Sequence, residues 1–164
     1  MGCRSLSKVK ICAFAIASLS VISGCASLRP EWKDCSDLLS SPKEGMRADI
    51  MTSDEDAMQA VEVRLNGVSA QCHSKKGKIY MAVDAGLKLK RQLDEGIEPA
   101  RVQVPFLISL LDENDQPYDV QSIAFKMAFP KNVDTLYPVS EFELDLKQGA
   151  RAVIALTPKP VEIN

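Results

Sequence analysis

The stretch IYMAVDAGLKL, residues 79–89, decides the fold. Ile79, Met81, Val83, Ala85, Leu87 and Leu89 fall on one side of it, while Tyr80, Ala82, Asp84 and Lys88 fall on the other. Successive side chains of a strand point to opposite faces, so this period of two marks a strand with one buried face. A helix would scatter the same apolar residues around its axis. Gly86, with no side chain to pack, marks a bend or bulge inside the strand.

The same period recurs on both sides. Upstream, Val61, Val63 and Leu65 alternate with Glu62 and Arg64, and Val68, Ala70 and Cys72 alternate with Ser69 and Gln71. The apolar phase shifts across Asn66-Gly67. A two-residue turn explains the shift, because 65 would then face 68 and 63 would face 70. A bulge at Gly67 in one long strand explains it equally well. Ser74 to Gly77 reads as a polar turn. Downstream, residues 91–101 (RQLDEGIEPAR) read as a charged connection. Val102, Val104, Phe106, Ile108 and Leu110 resume the alternation, DENDQPY at 112–118 turns the chain, and Ile123, Phe125, Met127 and Phe129 return. Phe142, Leu144 and Leu146, then Ala152, Ile154 and Leu156 after Gln148-Gly149, complete the set. At least six strands separated by turns, each with one apolar face, predict an antiparallel β-sandwich. Its size and strand number resemble immunoglobulin-like domains, a likeness of fold that carries no function.

The beginning of the chain has a different character. Arg4, Lys8 and Lys10 precede the apolar run Ile11 to Ile22, and no acid occurs before Glu31. The run is short for a permanent membrane span. A basic start, a short apolar run and small residues after it are the parts of an export signal. Ile22-Ser23-Gly24-Cys25 resembles the lipobox of bacterial lipoproteins: an aliphatic residue, two small residues that let the backbone enter the peptidase, and the cysteine whose thiol takes a diacylglycerol. The resemblance implies cleavage before Cys25 and covalent diacylglycerol and N-acyl lipid on it. Two or more chains, at about 0.8 kcal/mol per buried CH₂, hold a protein stably. Met1-Gly2-Cys3 looks like a myristoylation start, but Leu6 stands where that motif wants Ser or Thr. Ala26 stands where lipoproteins retained in the inner membrane often have Asp, which implies anchoring in the outer membrane, facing the periplasm. The alternative is the outer face of the inner or only cell membrane.

With residues 1–24 removed as signal peptide, three cysteines remain. Cys25 is assigned to lipid, and in an oxidising compartment Cys35 and Cys72 are expected to form a disulfide. The alternative is two free thiols with Cys72 buried. Residues 25–45 are expected to be a lipidated tether, rich in turn residues (Pro30, Ser41, Pro42, Gly45), with a short helical turn at Leu38 and Leu39. Trp32, the only tryptophan, either packs on the domain or sits at lipid headgroups. The sandwich is expected over residues 46–158, and residues 159–164, after Pro158, form a tail. The order of lipid cysteine, second cysteine, third cysteine ending an early strand (GVSAQC) and an apolar strand entering an acidic turn (VPFLISLLDENDQPYD) resembles a group of uncharacterised alphaproteobacterial lipoproteins. That likeness carries no activity over.

Composition and motifs narrow the function classes. The mature part keeps all 22 acids against 17 basic residues, a charge of about −5. It has no basic stripe with interleaved aromatics, so nucleic acid is not an expected partner. Its 140 residues suffice for one domain with a core. His73 is the only histidine. It has no cysteine at position 69 to make a haem attachment motif and no partner in sequence for catalysis or metal. Asp112, Glu113, Asp115 and Asp119 surround a turn, but Gln116 and Pro117 break the calcium-loop pattern, and both this cluster and Asp54-Glu55-Asp56 read as solvated loops. No metal or cofactor is expected. The leading expectation is a non-enzymatic, membrane-anchored accessory or adaptor that binds another envelope protein through edge strands or the loops 91–101 and 112–119. The alternatives are a small apolar ligand or lipid carrier, and a hydrolase with dispersed carboxylates.

Overall fold

The structure is a computed structural model that describes residues 31–52, 58–92 and 98–158. In chain order its strands are β1 Lys33–Asp34, β2 Leu39–Ser40, β3 Arg47–Met51, β4 Ala60–Lys75, β5 Lys78–Arg91, β6 Ala100–Leu111, β7 Pro117–Phe129, β8 Thr135–Leu136, β9 Val139–Lys147 and β10 Arg151–Leu156. They form two sheets. In the first, β4 and β5 are central, with β1 and β3 pairing β4 and with β8 and β9 pairing β5. In the second the order is β2-β10-β6-β7. The fold is an all-β sandwich. The apolar phases read from the sequence are the inward faces: Val61, Val63, Met81, Val83, Leu87 and Leu89 from one sheet are buried with Val102, Val104, Phe106, Ile108 and Ile154 from the other.

The phase shift at Asn66-Gly67 is a bulge, not a hairpin. β4 runs unbroken through it, with Leu65 opposite Leu87 and Gly67 opposite Gly86, so Asn66 is the extra residue. Gly67 has φ of +133°, where a side chain is strained. Gly86 faces it so closely that a Cβ would lie 3.4 Å from the Gly67 carbonyl oxygen. The bulge divides the core. Cys72, Met81, Val83, Leu110, Leu146 and Ile154 pack on one side of it. Val61, Leu87, Val104, Phe106 and Phe129 pack on the other. Val68, Ile123 and Phe142 touch both halves. Phe106 meets Phe125 edge to face at 5.7 Å and Phe142 at 6.0 Å, which ties β6 and β7 to β9 across the two sheets. Burying a ring like that of Phe106, fully enclosed, contributes about 2–3 kcal/mol.

Two expectations about boundaries change. Residues 33–45 are not tether: they belong to the sandwich. β1 pairs β4 with Lys33 opposite Cys72, and the Cys35 amide continues the pairing by donating to the Ala70 carbonyl at 3.0 Å. β2 adds to the second sheet, parallel to β10, with Leu39 opposite Ala152. Gly45 lies against Ala155. The domain therefore begins at about Lys33. The 91–101 connection is also shorter than expected, because β5 includes Arg91 and β6 begins at Ala100. The tail 159–164 lies outside the described residues.

Candidate functional site

Hairpin geometry places one end of the sandwich under three turns: 75–78 between β4 and β5, 112–116 between β6 and β7, and 147–150 between β9 and β10. The chain also enters the domain near this end, since β1 lies beside Cys72. The Cys35–Cys72 disulfide forms, with Cα atoms 5.8 Å apart and a sequence separation of 37. Both cysteines are buried.

Next to the bridge, on the outer face of the first sheet, Trp32, His73 and Tyr80 form an aromatic stack. The His73 ring lies flat on Tyr80 at 4.9 Å, and Trp32 meets His73 edge-on at 4.5 Å. Trp32 packs on the domain and yet stays 40% exposed. The buried His73 Nδ1 has no hydrogen-bond partner among the described residues. No group of three metal-binding side chains occurs among them either. The contacts His73 makes are with the two rings of the stack.

Beyond the stack the tip is cationic. Lys75 stands opposite Lys78, and Lys78 opposite Lys147. Lys76 occupies the turn with φ of +52°. Among the described residues Lys75, Lys76 and Lys78 form no ion pair. The Lys147 ammonium lies 4.2 Å from the Tyr118 ring centroid. A recess of about 270 Å³ opens between these lysines and Gln148.

The acidic turn sits at the same end on the second sheet, but its carboxylates do not converge. Asp112 Oδ1 accepts the amides of Asn114 and Gln116 at 2.8 and 3.0 Å. Asp115 accepts from Arg151, Asp119 from Gln121 at 2.8 Å, and Glu113 lies against Gly149. Asp112, Asp115 and Asp119 therefore each serve a local turn or pair. Asp54, Glu55 and Asp56 lie outside the described residues, as do Ile22, Ser23, Gly24 and Cys25.

The opposite end is closed by a residue that the sequence reading assigned to a loop. Arg91 is the last inward position of β5 and is fully buried. Its Nε donates to the Val133 carbonyl at 2.8 Å, Nη1 to Glu98 at 3.1 Å and Nη2 to Pro130 at 2.9 Å. The guanidinium also covers the Phe129 ring at 4.7 Å. Burial pushes its pKa below the ordinary guanidinium range while the Asp134 charge opposes the shift. It still carries its charge at any working pH. The signal was present in the sequence: position 91 continues the series 79 to 89.

On the outer face near that end, Glu62 accepts from both Arg64 and Arg47. Hydrogen bonding to Arg64 holds its carboxyl below the usual 4.5. Backbone and side-chain hydrogen bonds from Ser36 lower Asp34 in the same way. Both shifts favour the ionised form, the opposite of what a general acid needs. The neighbouring recess of about 530 Å³ is lined by Asp49, Glu62, Lys90 and Gln59 among others, a mixture of charges.

Among the described strands one long side of the sandwich is open. β7 is 13 residues long and pairs with β6 alone among the described strands. β9 lies above it, since Phe142 contacts Phe125 and the Lys147 amide donates to the Tyr118 hydroxyl. Tyr137, just before β9, and Val139, its first residue, are 64% and 59% exposed. Comparison with protein-family models, with curated proteins and with solved structures finds no match to this chain.

Proposed function

We propose that the protein is a lipoprotein, anchored through Cys25, whose sandwich binds another envelope protein without catalysis of its own. The lipobox-like Ile22-Ser23-Gly24-Cys25 supports the anchor and an outer-membrane, periplasm-facing location. The observation that carries the binding role is the open β7 edge. A sheet edge presents unpaired N–H and C=O groups to which a partner strand can add, and its alternating side chains give the choice of partner. Among the described strands the unpaired side of β7 runs for 13 residues.

The packed inter-sheet core favours this reading over a ligand carrier. The two recesses at the ends of the first sheet mix charged and polar residues with apolar surface, and a third of about 390 Å³ lies open on β6 and β7 beside Val102 and Met127, whereas carrier sites are enclosed and mostly apolar. The test is a photo-crosslinking amino acid at Ala124, an exposed β7 position, in cells making the full chain. A discrete crosslinked envelope protein, absent when the probe sits at Asp84 on the outer face of β5, is the expected result. Recovery of no protein partner would reject the reading.

A further inference from the structure

We infer that the lysine tip and its aromatic stack dock the domain, end-on, onto the anionic phospholipid surface in which Cys25 is anchored. The inference rests on the anchor proposed above and adds an orientation and a lipid chemistry to it.

Three observations carry it. The first is reach. Seven chain steps separate Cys25 from Trp32, and an extended chain spans at most about 3.5 Å per residue, so Trp32 lies within about 25 Å of the lipidated sulfur. Trp32 is packed on the tip-end stack. Of the two ends of the sandwich, the one with the 75–78 turn is therefore held nearest the bilayer.

The second is charge. The mature chain is acidic overall, yet Lys75, Lys76 and Lys78 crowd one hairpin end without an ion pair among the described residues. Directly opposed like charges destabilise a sheet, and both the Lys75–Lys78 and Lys78–Lys147 pairs are of this kind. An anionic surface removes that repulsion. The recess of about 270 Å³ lined by Lys75, Lys76 and Lys78 is open to a phosphate group, which lysine ammoniums bind as point charges.

The third is the aromatic pair. Trp32 is partly exposed in the row next to the lysines, and Tyr80 is its neighbour through His73. Aromatic rings of this kind settle at the headgroup level of a membrane. Asp145, opposite Tyr80, is the acid in that row. At the same end, on the other sheet, Asp115 is paired with Arg151 and Glu113 lies against Gly149, so the face presented to anionic lipid is the Lys75–Lys78 hairpin of the first sheet.

The test uses the processed, lipidated protein in vesicles, with Trp32 as the sole tryptophan reporter and a nitroxide quencher on the lipid headgroup. Flotation with phosphatidylcholine vesicles reads the anchor alone. Trp32 quenching on vesicles with and without phosphatidylglycerol reads docking. A lysine near an anionic surface favours contact by about fivefold, so three favour the docked state by about 100-fold. The expected result is strong quenching only with phosphatidylglycerol, weakened by salt and abolished in Lys75→Glu/Lys76→Glu/Lys78→Glu, which still floats. An unchanged urea midpoint shows that this variant folds, and Lys75→Gln/Lys78→Gln should lose quenching in part. Equal quenching on both vesicles, or full quenching by the triple variant, overturns the inference. Loss of a crosslinked protein partner by the triple variant without loss of quenching also overturns it and makes the tip a protein contact. Failure to float with either vesicle is a failure of the anchor, a different outcome.

Discussion

Replacing Arg91 with methionine should cost the domain about 3–4 kcal/mol. The guanidinium makes three hydrogen bonds, to the Val133, Glu98 and Pro130 carbonyls, at 2.8–3.1 Å. A bond from a charged donor is worth about 1.5 kcal/mol or more, so the three contribute roughly 4–5 kcal/mol. Contact with the Phe129 ring at 4.7 Å adds about 1 kcal/mol. Methionine has similar length and recovers about 2 kcal/mol through burial of its own apolar surface. The carbonyls left behind regain water only by opening the 98 and 130–134 segments. Arg91→Lys should lose about 2 kcal/mol, since one ammonium cannot span three diverging carbonyls. The assay is urea unfolding with the disulfide oxidised. With a slope of about 1.5–2 kcal/mol/M for a domain of this size, the methionine midpoint falls by about 2 M and the slope is unchanged. A loss under about 1 kcal/mol for Arg91→Met would refute the claim that this residue closes the end of the sandwich.

Other perturbations test other parts of the account. Cys35→Ala/Cys72→Ala opens a loop of 37 residues and should cost about 4 kcal/mol in the chain-entropy model, checked by the difference in urea midpoint. Gly45→Ala puts a methyl into Ala155, with the Ala155 Cα only 3.0 Å from it. Because that neighbour is backbone, the expected loss is about 1–3 kcal/mol, read by thermal melting. Glu62 titrates below its ordinary value in the fold, so its contribution is present above pH 4.5 and is lost as pH falls through the lower folded value. Glu62→Gln should flatten the acid limb of the stability curve, and the effect should shrink in high salt because the group is exposed.

The elements readable in the sequence were those long enough to show a period. β5 and β6 present five or more inward apolar residues each, and the buried set matches them except at Ile79, which is half-buried at the start of β5. β3 offered only Ala48 and Ile50 inward, too little for a pattern. β1 and β2 are two residues each and are held by pairing with distant strands, so residues 33–45 resembled a tether. The shift at Asn66-Gly67 had two solutions with the same local pattern. Only the pairing of β4 with β5 along its whole length distinguishes them. Arg91 was hidden because its charge outweighed its place in the period, and its carbonyl partners come from loops some 40 residues away. The lysine tip was legible as a turn. That Lys147 joins it, and that Trp32 lies on His73, depends on tertiary pairing that local pattern does not encode.

The central claim is that the domain hangs from lipid on Cys25. Labelled palmitate given to cells making the chain should enter the wild-type protein, and Cys25→Ala should lose both the label and the membrane fraction. Continued labelling of Cys25→Ala would contradict the account.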